Sequence, residues 1–367
     1  MNTHTQFEDL SNEIFFEIFD YFHALEIFTS FTSLNRRISS ILQSIPLRII
    51  ILPDHCCRQI NFLSSHLTNH VDQVISLEIF DTICDYASII SILFNRHNFC
   101  NLESCIFISI SPTTILENVF KQIKSLNKLV SFSLYQPNDD NISEKDKHNL
   151  TQIMLLHKSP VLRSISLQFS YDNMHILNLT SIPSNLMSLK LCMSNTLPIL
   201  PVYSIISILR LCHSVRYLGI IVIHQVLSEN NAINTSIPSK PFNYNDIPIL
   251  PQMISFDLTI LVKCDSRSIA SILRLMPNLI HFYFTMDIPV ATWSYPGELF
   301  DGYVWQEMLE SCVPRLSKFE FHMSIAKTNS ILDLDIIVNS FAYFVKKYPN
   351  WNIIIQRWNF FFRRSGK

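Results

Sequence analysis

Apolar residues recur along most of this 367-residue chain in one phrase, apolar-x-x-apolar-x-apolar, followed by strand-forming residues. Successive copies start between 24 residues (Leu162 to Leu186) and 38 residues (Val215 to Met253) apart. Self-similarity at such spacing is typical of repeat proteins. Nine copies are present, and WNIII near Trp351 is a worn tenth; the nine begin at Val74, Leu102, Leu129, Leu162, Leu186, Val215, Met253, Leu279 and Leu316.

The stretches that precede these strands carry apolar residues at i, i+3, i+4 and i+7, which predicts helices. They read YASIISILFN, TTILENVFKQIKSL, KHNLTQIMLLHKS, VYSIISILRLC, SRSIASILRLM, VWQEMLESC and IIVNSFAYFVKKY. Alternating helices and strands predict parallel strands with helices outside them. We therefore predict an α/β fold in which stacked units form a curved solenoid with the strands on its concave face. An ordinary α/β sheet domain is the alternative.

The first 45 residues follow a different pattern, three short helical series rich in large apolar side chains. Leu10-Ser11-Asn12-Glu13 is a helix start, because Ser11 can cap and Glu13 suits the positive end of the helix dipole. Three short helices cannot enclose so many large side chains, so some faces need a partner. We predict a helical module over residues 1–48 and a repeat array over residues 49–367.

The module resembles an F-box, the motif by which receptors dock on the adaptor subunit of cullin–RING ubiquitin ligases. Leu10, Glu13 and Ile14 match the opening of the family pattern, and Ile18-Phe19 matches its Ile-Phe pair. Ser11 stands where the family has proline. The resemblance implies docking on the adaptor, and through it on cullin, by these residues: Leu10, Ile14, Ile18, Phe19, Phe22, Ile27, Phe28, Phe31 and Leu34.

The array resembles the leucine-rich repeat family in a worn form, because the family's Asn or Cys after the strand is mostly replaced. The two resemblances together imply a substrate-recognition adaptor that links a target protein to the ligase. The alternative is a non-catalytic protein-binding scaffold whose N-terminal helices only cap the solenoid. Trp293, Tyr295 and Trp305, in or beside the aromatic insertion 287–303, are the predicted target-binding residues, since interface hot spots favour such side chains. The alternative is that they fold back onto the scaffold.

Composition excludes several other functions. The net charge of −2 gives no electrostatic argument for nucleic-acid binding, and only 4 glycines leave no phosphate-cradling loop. We expect no enzyme activity and no cofactor, because no catalytic signature is present. His66 and His70 share a helix face near Cys56-Cys57, but paired cysteine spacing is missing, so no metal is expected. Scattered cysteines, no signal peptide and no membrane span predict a cytoplasmic or nuclear protein.

Overall fold

The computed structural model describes two compact units of the chain, Met1–Phe169 and Ser170–Lys367. The described residues are 7, 10–84, 86–111, 114, 116–136, 142–172, 182–183, 185–195, 202–224, 249–262, 264–288, 297–326, 334–348 and 351–358.

The first unit opens with three short helices and then alternates strands and helices. The opening helices are α1 (Asn12–Phe19), α2 (Ala24–Phe31) and α3 (Arg36–Leu42). The elements that follow are β1 (Leu47–Ile51), α4 (Cys57–Leu67), β2 (Val74–Phe80), the short β3 (Ile83–Cys84) and β4 (Ala87–Ser88), α5 (Ile89–Arg96), β5 (Ser104–Ile108), α6 (Leu116–Ser125), β6 (Ser131–Tyr135), α7 (Glu144–Leu155) and β7 (Ser164–Asp172).

Strands β1, β2, β5, β6 and β7 pair side by side in chain order, and every pair is parallel. Alternate side chains point to opposite faces, so register determines which residues share the core. Leu77, Cys105, Phe132 and Ile165 form one such row and are fully buried. Burial raises the pKa of the Cys105 thiol, as expected for an inert core cysteine.

The second unit repeats this alternation. Its elements are β8 (Ser188–Asn195), α8 (Val202–Leu211), β9 (Tyr217–His224), β10 (Ser255–Ile260), α9 (Ser266–Leu273), β11 (His281–Ile288), α10 (Gly302–Cys312), β12 (Lys318–Ala326), α11 (Leu334–Ser340), α12 (Ala342–Lys347) and β13 (Asn352–Trp358). Strands β8 to β13 pair in chain order, all parallel. Phenylalanines fill its core rows, and Phe256, Phe282 and Phe319 stack with ring centroids 5.8 and 5.6 Å apart.

The predicted α/β fold with parallel strands is confirmed within each unit. All ten copies of the repeated phrase run into or overlap a strand, and helices lie where the helical spacing predicts them. Strand β1 was not predicted, because Leu47–Leu52 is an apolar run almost without alternation. The helix expected to carry both His66 and His70 is α4, but it ends at Leu67, so only His66 lies on it. The predicted boundary after residue 48 falls inside β1 and stays a prediction.

Side-chain amides tie successive repeats of the first unit together. The Nε2 atom of Gln73 donates to the carbonyl oxygens of Leu42 (2.9 Å) and Ile45 (2.7 Å), at the end of α3. Gln122 makes the same pair of bonds to the end of α5. In the second unit Gln252 donates to a carbonyl just beyond α8. These contacts satisfy helix-end carbonyls that have no partner within their own helix.

One buried carboxylate organises the loops beyond β2. Asp81 is 4% exposed and accepts hydrogen bonds from the backbone N–H groups of Ile90 (3.0 Å) and Ser111 (2.9 Å) and from the Thr114 hydroxyl. Burial raises the pKa of Asp81, and these hydrogen bonds oppose the rise. The carboxylate therefore joins the ends of two neighbouring repeats.

Candidate functional site

The N-terminal module begins as the sequence predicts. Ser11 stands in extended conformation just before α1, although its side chain makes no capping hydrogen bond to the helix backbone. A hydrogen bond from Ser11 lowers the pKa of Glu13 in the first turn. Asn35 caps α3, because its Oδ1 accepts from the backbone N–H of Ile38 at 2.9 Å. Side-chain capping therefore sets where α3 begins, whereas the expected Ser11 cap of α1 is not formed.

Arg37 holds the module's first and third helices together, a role that sequence reasoning missed. Its guanidinium donates to the carbonyl oxygen of Leu10 (2.6 Å) and to Oδ1 of Asn12 (2.7 and 2.9 Å). It also lies 5.4 Å from the centre of the Phe15 ring. A planar, forked donor suits this combination of contacts.

Three of the predicted adaptor-binding residues face the interior. Phe19 is 4% exposed, Ile27 1% and Phe28 2%. The Phe28 ring lies 5.2 Å from each of the His66 and His70 rings, because α2 packs on α4 and β1. The prediction that these three residues contact an adaptor is therefore corrected, because their side chains are buried in the chain itself. Phe28 packs the module on the first repeat, whereas the Phe19 ring contacts those of Phe15 and Phe31 within the module.

The other predicted adaptor-binding residues reach the surface. Ile14 is 42%, Phe22 37% and Leu34 50% exposed. Ile14 is one turn from Ile18 on α1, so the two side chains lie on the same helix face. The half-buried residues of this set are Leu10, Ile18 and Phe31, and the Phe31 ring contacts those of Phe7, Phe19 and Phe22.

The structure corrects the assignment of Trp305 as a target-binding residue. Trp305 is fully buried on α10, its ring centroid is 4.8 Å from that of Phe284, and its Nε1 donates to the Leu299 carbonyl at 3.0 Å. A side chain in this position stabilises the core. Trp293 and Tyr295 lie outside the described residues.

His66 and His70, considered above as metal ligands, have other contacts besides Phe28. His66 bonds the Phe62 carbonyl through Nδ1, and His70 bonds Gln73 through Nδ1. Across the described residues, no group of three or more His, Cys, Asp or Glu side chains could hold a metal ion. Within the same residues, every helix is too short or too polar to cross a membrane.

A row of charged and aromatic side chains crosses the outward face of the second unit's strands. Lys190, Gly219, Asp257, Tyr283 and Glu320 occupy matching positions on β8 to β12. Lys190 and Asp257, which interact, are 67 residues apart in the sequence, so only strand register brings them together. The signal in the sequence was the residue between the last two apolar positions of each copy.

Two ion pairs lie along this row. The Nζ atom of Lys190 is 3.5 Å from Oδ2 of Asp257, and both side chains are 36% exposed. The Nζ atom of Lys318 is 2.6 Å from Oε1 of Glu320 and 3.4 Å from the Tyr283 hydroxyl. The bond to Glu320 is the main cause of a raised pKa for Lys318. The second pair is therefore the more closely bound.

The comparisons with known proteins concern the fold. No family model matches the sequence, and no curated protein is significantly similar to it. Among solved structures, the chain is similar to the leucine-rich repeat-containing protein LegL7 from Legionella pneumophila, with 14% identity and a TM-score of 0.37, over 85% of this chain and 90% of that one. Each unit's own strand order and register define the class, a repeat-type α/β protein with parallel strands.

Proposed function

We propose that this protein is a non-catalytic target receptor that docks on the adaptor subunit of a cullin–RING ubiquitin ligase. The observation that carries the proposal is the set of exposed apolar residues Ile14, Phe22 and Leu34 on a module whose helix α2 packs on α4 and β1. Water-exposed apolar side chains grouped on one small module mark a protein-binding surface. The repeat array would hold a target protein, and the chain would act by bringing that target close to the transfer machinery.

The second candidate is a protein-binding scaffold whose first three helices only cap the array. Two observations favour the scaffold, because helices that cap a repeat array must be joined to its first repeat. Phe28 makes buried contacts with α4, and Gln73 bonds the end of α3. Those contacts do not account for the exposed apolar set. The two functions therefore differ in what covers Ile14 and Phe22.

The test is binding of the full chain to purified ligase adaptor, beside an Ile14→Asp/Ile18→Asp variant. Ile14 is exposed and Ile18 is half-buried on the same face of α1, and both substitutions spare the buried Phe19. Fully burying an exposed Ile contributes about 1.5–3 kcal/mol, and Ile18 is already half-buried, so replacing both residues should weaken docking about a hundredfold. The matched control is Ile83→Asp, an apolar residue that is 58% exposed outside the module.

Adaptor binding by the wild type and the Ile83 variant, lost in the double variant, would support the receptor function. Failure of the wild-type chain to bind the adaptor would support the scaffold instead. Binding that survives the double substitution would refute the proposed docking surface, whatever else the chain binds.

A further inference from the structure

Gly219 is one of only 4 glycines in the chain, and it lies in the interior of β9. Glycine inside a strand often marks the close approach of another group. Here a Cβ atom would come within 2.9 Å of Cγ of Lys190. Gly219 thus opens a trough on the outward face of β9, and the aliphatic stem of Lys190 fills it.

The trough forms part of an open depression of about 260 Å³ in the second unit. Two aromatic rings, Tyr217 and Tyr283, belong to its lining, and Tyr217 is 45% exposed. Lys190 crosses Gly219 to reach Asp257 on the strand beyond, at 3.5 Å. An ion pair this long and this exposed contributes little, so a better-matched cation can displace the lysine.

We propose that this depression is a subsite for an arginine side chain of a bound peptide. The guanidinium pairs with Asp257 and packs against the exposed ring of Tyr217, while Lys190 occupies this position in the protein without a ligand. The Tyr283 ring borders the subsite and already has the Lys318 ammonium 5.3 Å from its centre. A guanidinium offers a carboxylate two parallel hydrogen bonds where an ammonium offers a point charge. It also stacks on aromatic rings more readily than lysine does.

An anionic side chain suits this surface less well. It would have to use Lys190, because Lys318 is already bound to Glu320 at 2.6 Å and to Tyr283. It would also meet the negative charge of Asp257. A carboxylate of the ligand would only replace the Asp257 carboxylate as the partner of Lys190, so it would form no better hydrogen bonds than those already present. The arrangement of charges therefore favours a cation.

This inference rests on the proposed function only in taking the ligand to be a segment of a target protein. The adaptor experiment examines the module in the first unit, whereas the subsite lies on β8 to β11 of the second. Failure of the chain to bind the adaptor would therefore not count against the arginine subsite, and failure of the peptides to bind would not count against adaptor docking.

The experiment uses the full chain and fluorescent nonapeptide pools that differ only in a fixed central residue. The central residue is arginine, citrulline, lysine, glutamate or phosphoserine, and the flanking positions are random but lack arginine. Citrulline has nearly the shape of arginine without its charge. We expect the arginine pool to bind about tenfold more tightly than the citrulline pool, as charge-assisted hydrogen bonds require.

Two variants then test the assignment of residues. Asp257→Asn should weaken binding of the arginine pool about tenfold, while Glu78→Gln, a half-buried carboxylate on β2 of the first unit, should leave it unchanged. Lys190→Gln should strengthen binding of the arginine pool, because it removes the internal competitor. A misfolded variant would bind all pools alike, so a gain confined to the arginine pool is independent of the effect of Asp257→Asn.

Several results would overturn the proposal. Equal binding of the arginine and citrulline pools would do so, as would unchanged binding by Asp257→Asn or weaker binding by Lys190→Gln. Preference for the glutamate or phosphoserine pool would assign the depression to an anionic peptide instead. If no pool binds at millimolar concentration, the depression is not a peptide subsite.

Discussion

Gln73 and Gln122 make the same contact on two different helices, which permits a reciprocal test of how the repeats are held together. Gln73 bonds the end of α3, the last helix of the N-terminal module, and Gln122 bonds the end of α5. Replacing either by methionine keeps the length and most of the volume of the side chain. The substitution removes only the amide and its hydrogen bonds.

The expected cost follows from the bonds that are lost. Gln122 donates to the carbonyl oxygens of Phe94 at 2.7 Å and His97 at 2.9 Å, and Gln73 donates to those of Leu42 at 2.9 Å and Ile45 at 2.7 Å. The Oε1 atom of Gln73 also bonds Nδ1 of His70 at 2.6 Å, and that of Gln122 accepts a longer bond, 3.4 Å, from the backbone N–H of Phe99. Each intramolecular hydrogen bond contributes about 1 kcal/mol net, and a part-buried carbonyl left without a partner adds to the loss. Each variant should therefore lose about 2 kcal/mol of local stability.

Hydrogen exchange followed by mass spectrometry measures that loss helix by helix. A change of 2 kcal/mol corresponds to roughly thirtyfold faster exchange where local opening governs it. Gln73→Met should speed exchange in α3 and leave α5 protected. Gln122→Met should do the reverse, so each variant is the other's control.

Equal effects of both variants on both helices would contradict this reasoning, because they would indicate a general loosening of the unit. Exchange rates within twofold of wild type in the helix that each glutamine bonds would show that these amides contribute nothing to stability. Gln152→Met, at an exposed position on α7, should change neither helix.

Three further predictions concern the core and its pH dependence. Burial raises the pKa of Asp81 in the folded protein. The contribution of Asp81 to the free energy of unfolding should therefore fall as pH rises from the usual carboxyl range through the raised pKa. Asp81→Asn should remove this part of the pH dependence, measured by urea unfolding between about pH 4 and pH 7. Trp305→Ala should cost about 3–5 kcal/mol, whereas Tyr303→Ala, at a 62% exposed position, should stay within about 0.5 kcal/mol by the same unfolding measurement. Gly302→Ala should cost about 1–3 kcal/mol, because its Cβ would overlap the backbone oxygen of Ser340; a wild-type melting temperature would refute this contact.

The strands were predictable because each carries its own signal. In LRSISL, for example, Leu162, Ile165 and Leu167 are buried, while the intervening Ser164 and Ser166 are only half-buried. That alternation is local and survives the loss of the family's Asn or Cys. Contacts of Gln73 and Gln122 were not predictable in this way, because their partners lie on the preceding repeat and follow no periodic pattern.

Trp305 shows how a correct helix prediction can still give a wrong role. Its segment, VWQEMLESC, has helical spacing, yet the tryptophan also borders the aromatic insertion 287–303, which favours a binding role. Trp305, Met308, Leu309 and Cys312 are spaced at i, i+3, i+4 and i+7, and all four are buried. Helical spacing places the first member of such a stripe on the same face as the others. The spacing of these four residues therefore predicts that Trp305 lies in the core.

The row of outward side chains in the second unit could also be predicted from the sequence, but only by aligning the repeated phrases with one another. Aligning the copies LMSLKL, VRYLGI, MISFDL and LIHFYF puts Lys190, Gly219, Asp257 and Tyr283 in one column, and parallel pairing in register makes that column a physical row. In the first unit the same column holds Glu78 and then uncharged residues. Charge on the outward face is thus concentrated on the second unit's strands, which is why a charge-selective peptide contact is placed there and not on the serine-rich strands before it.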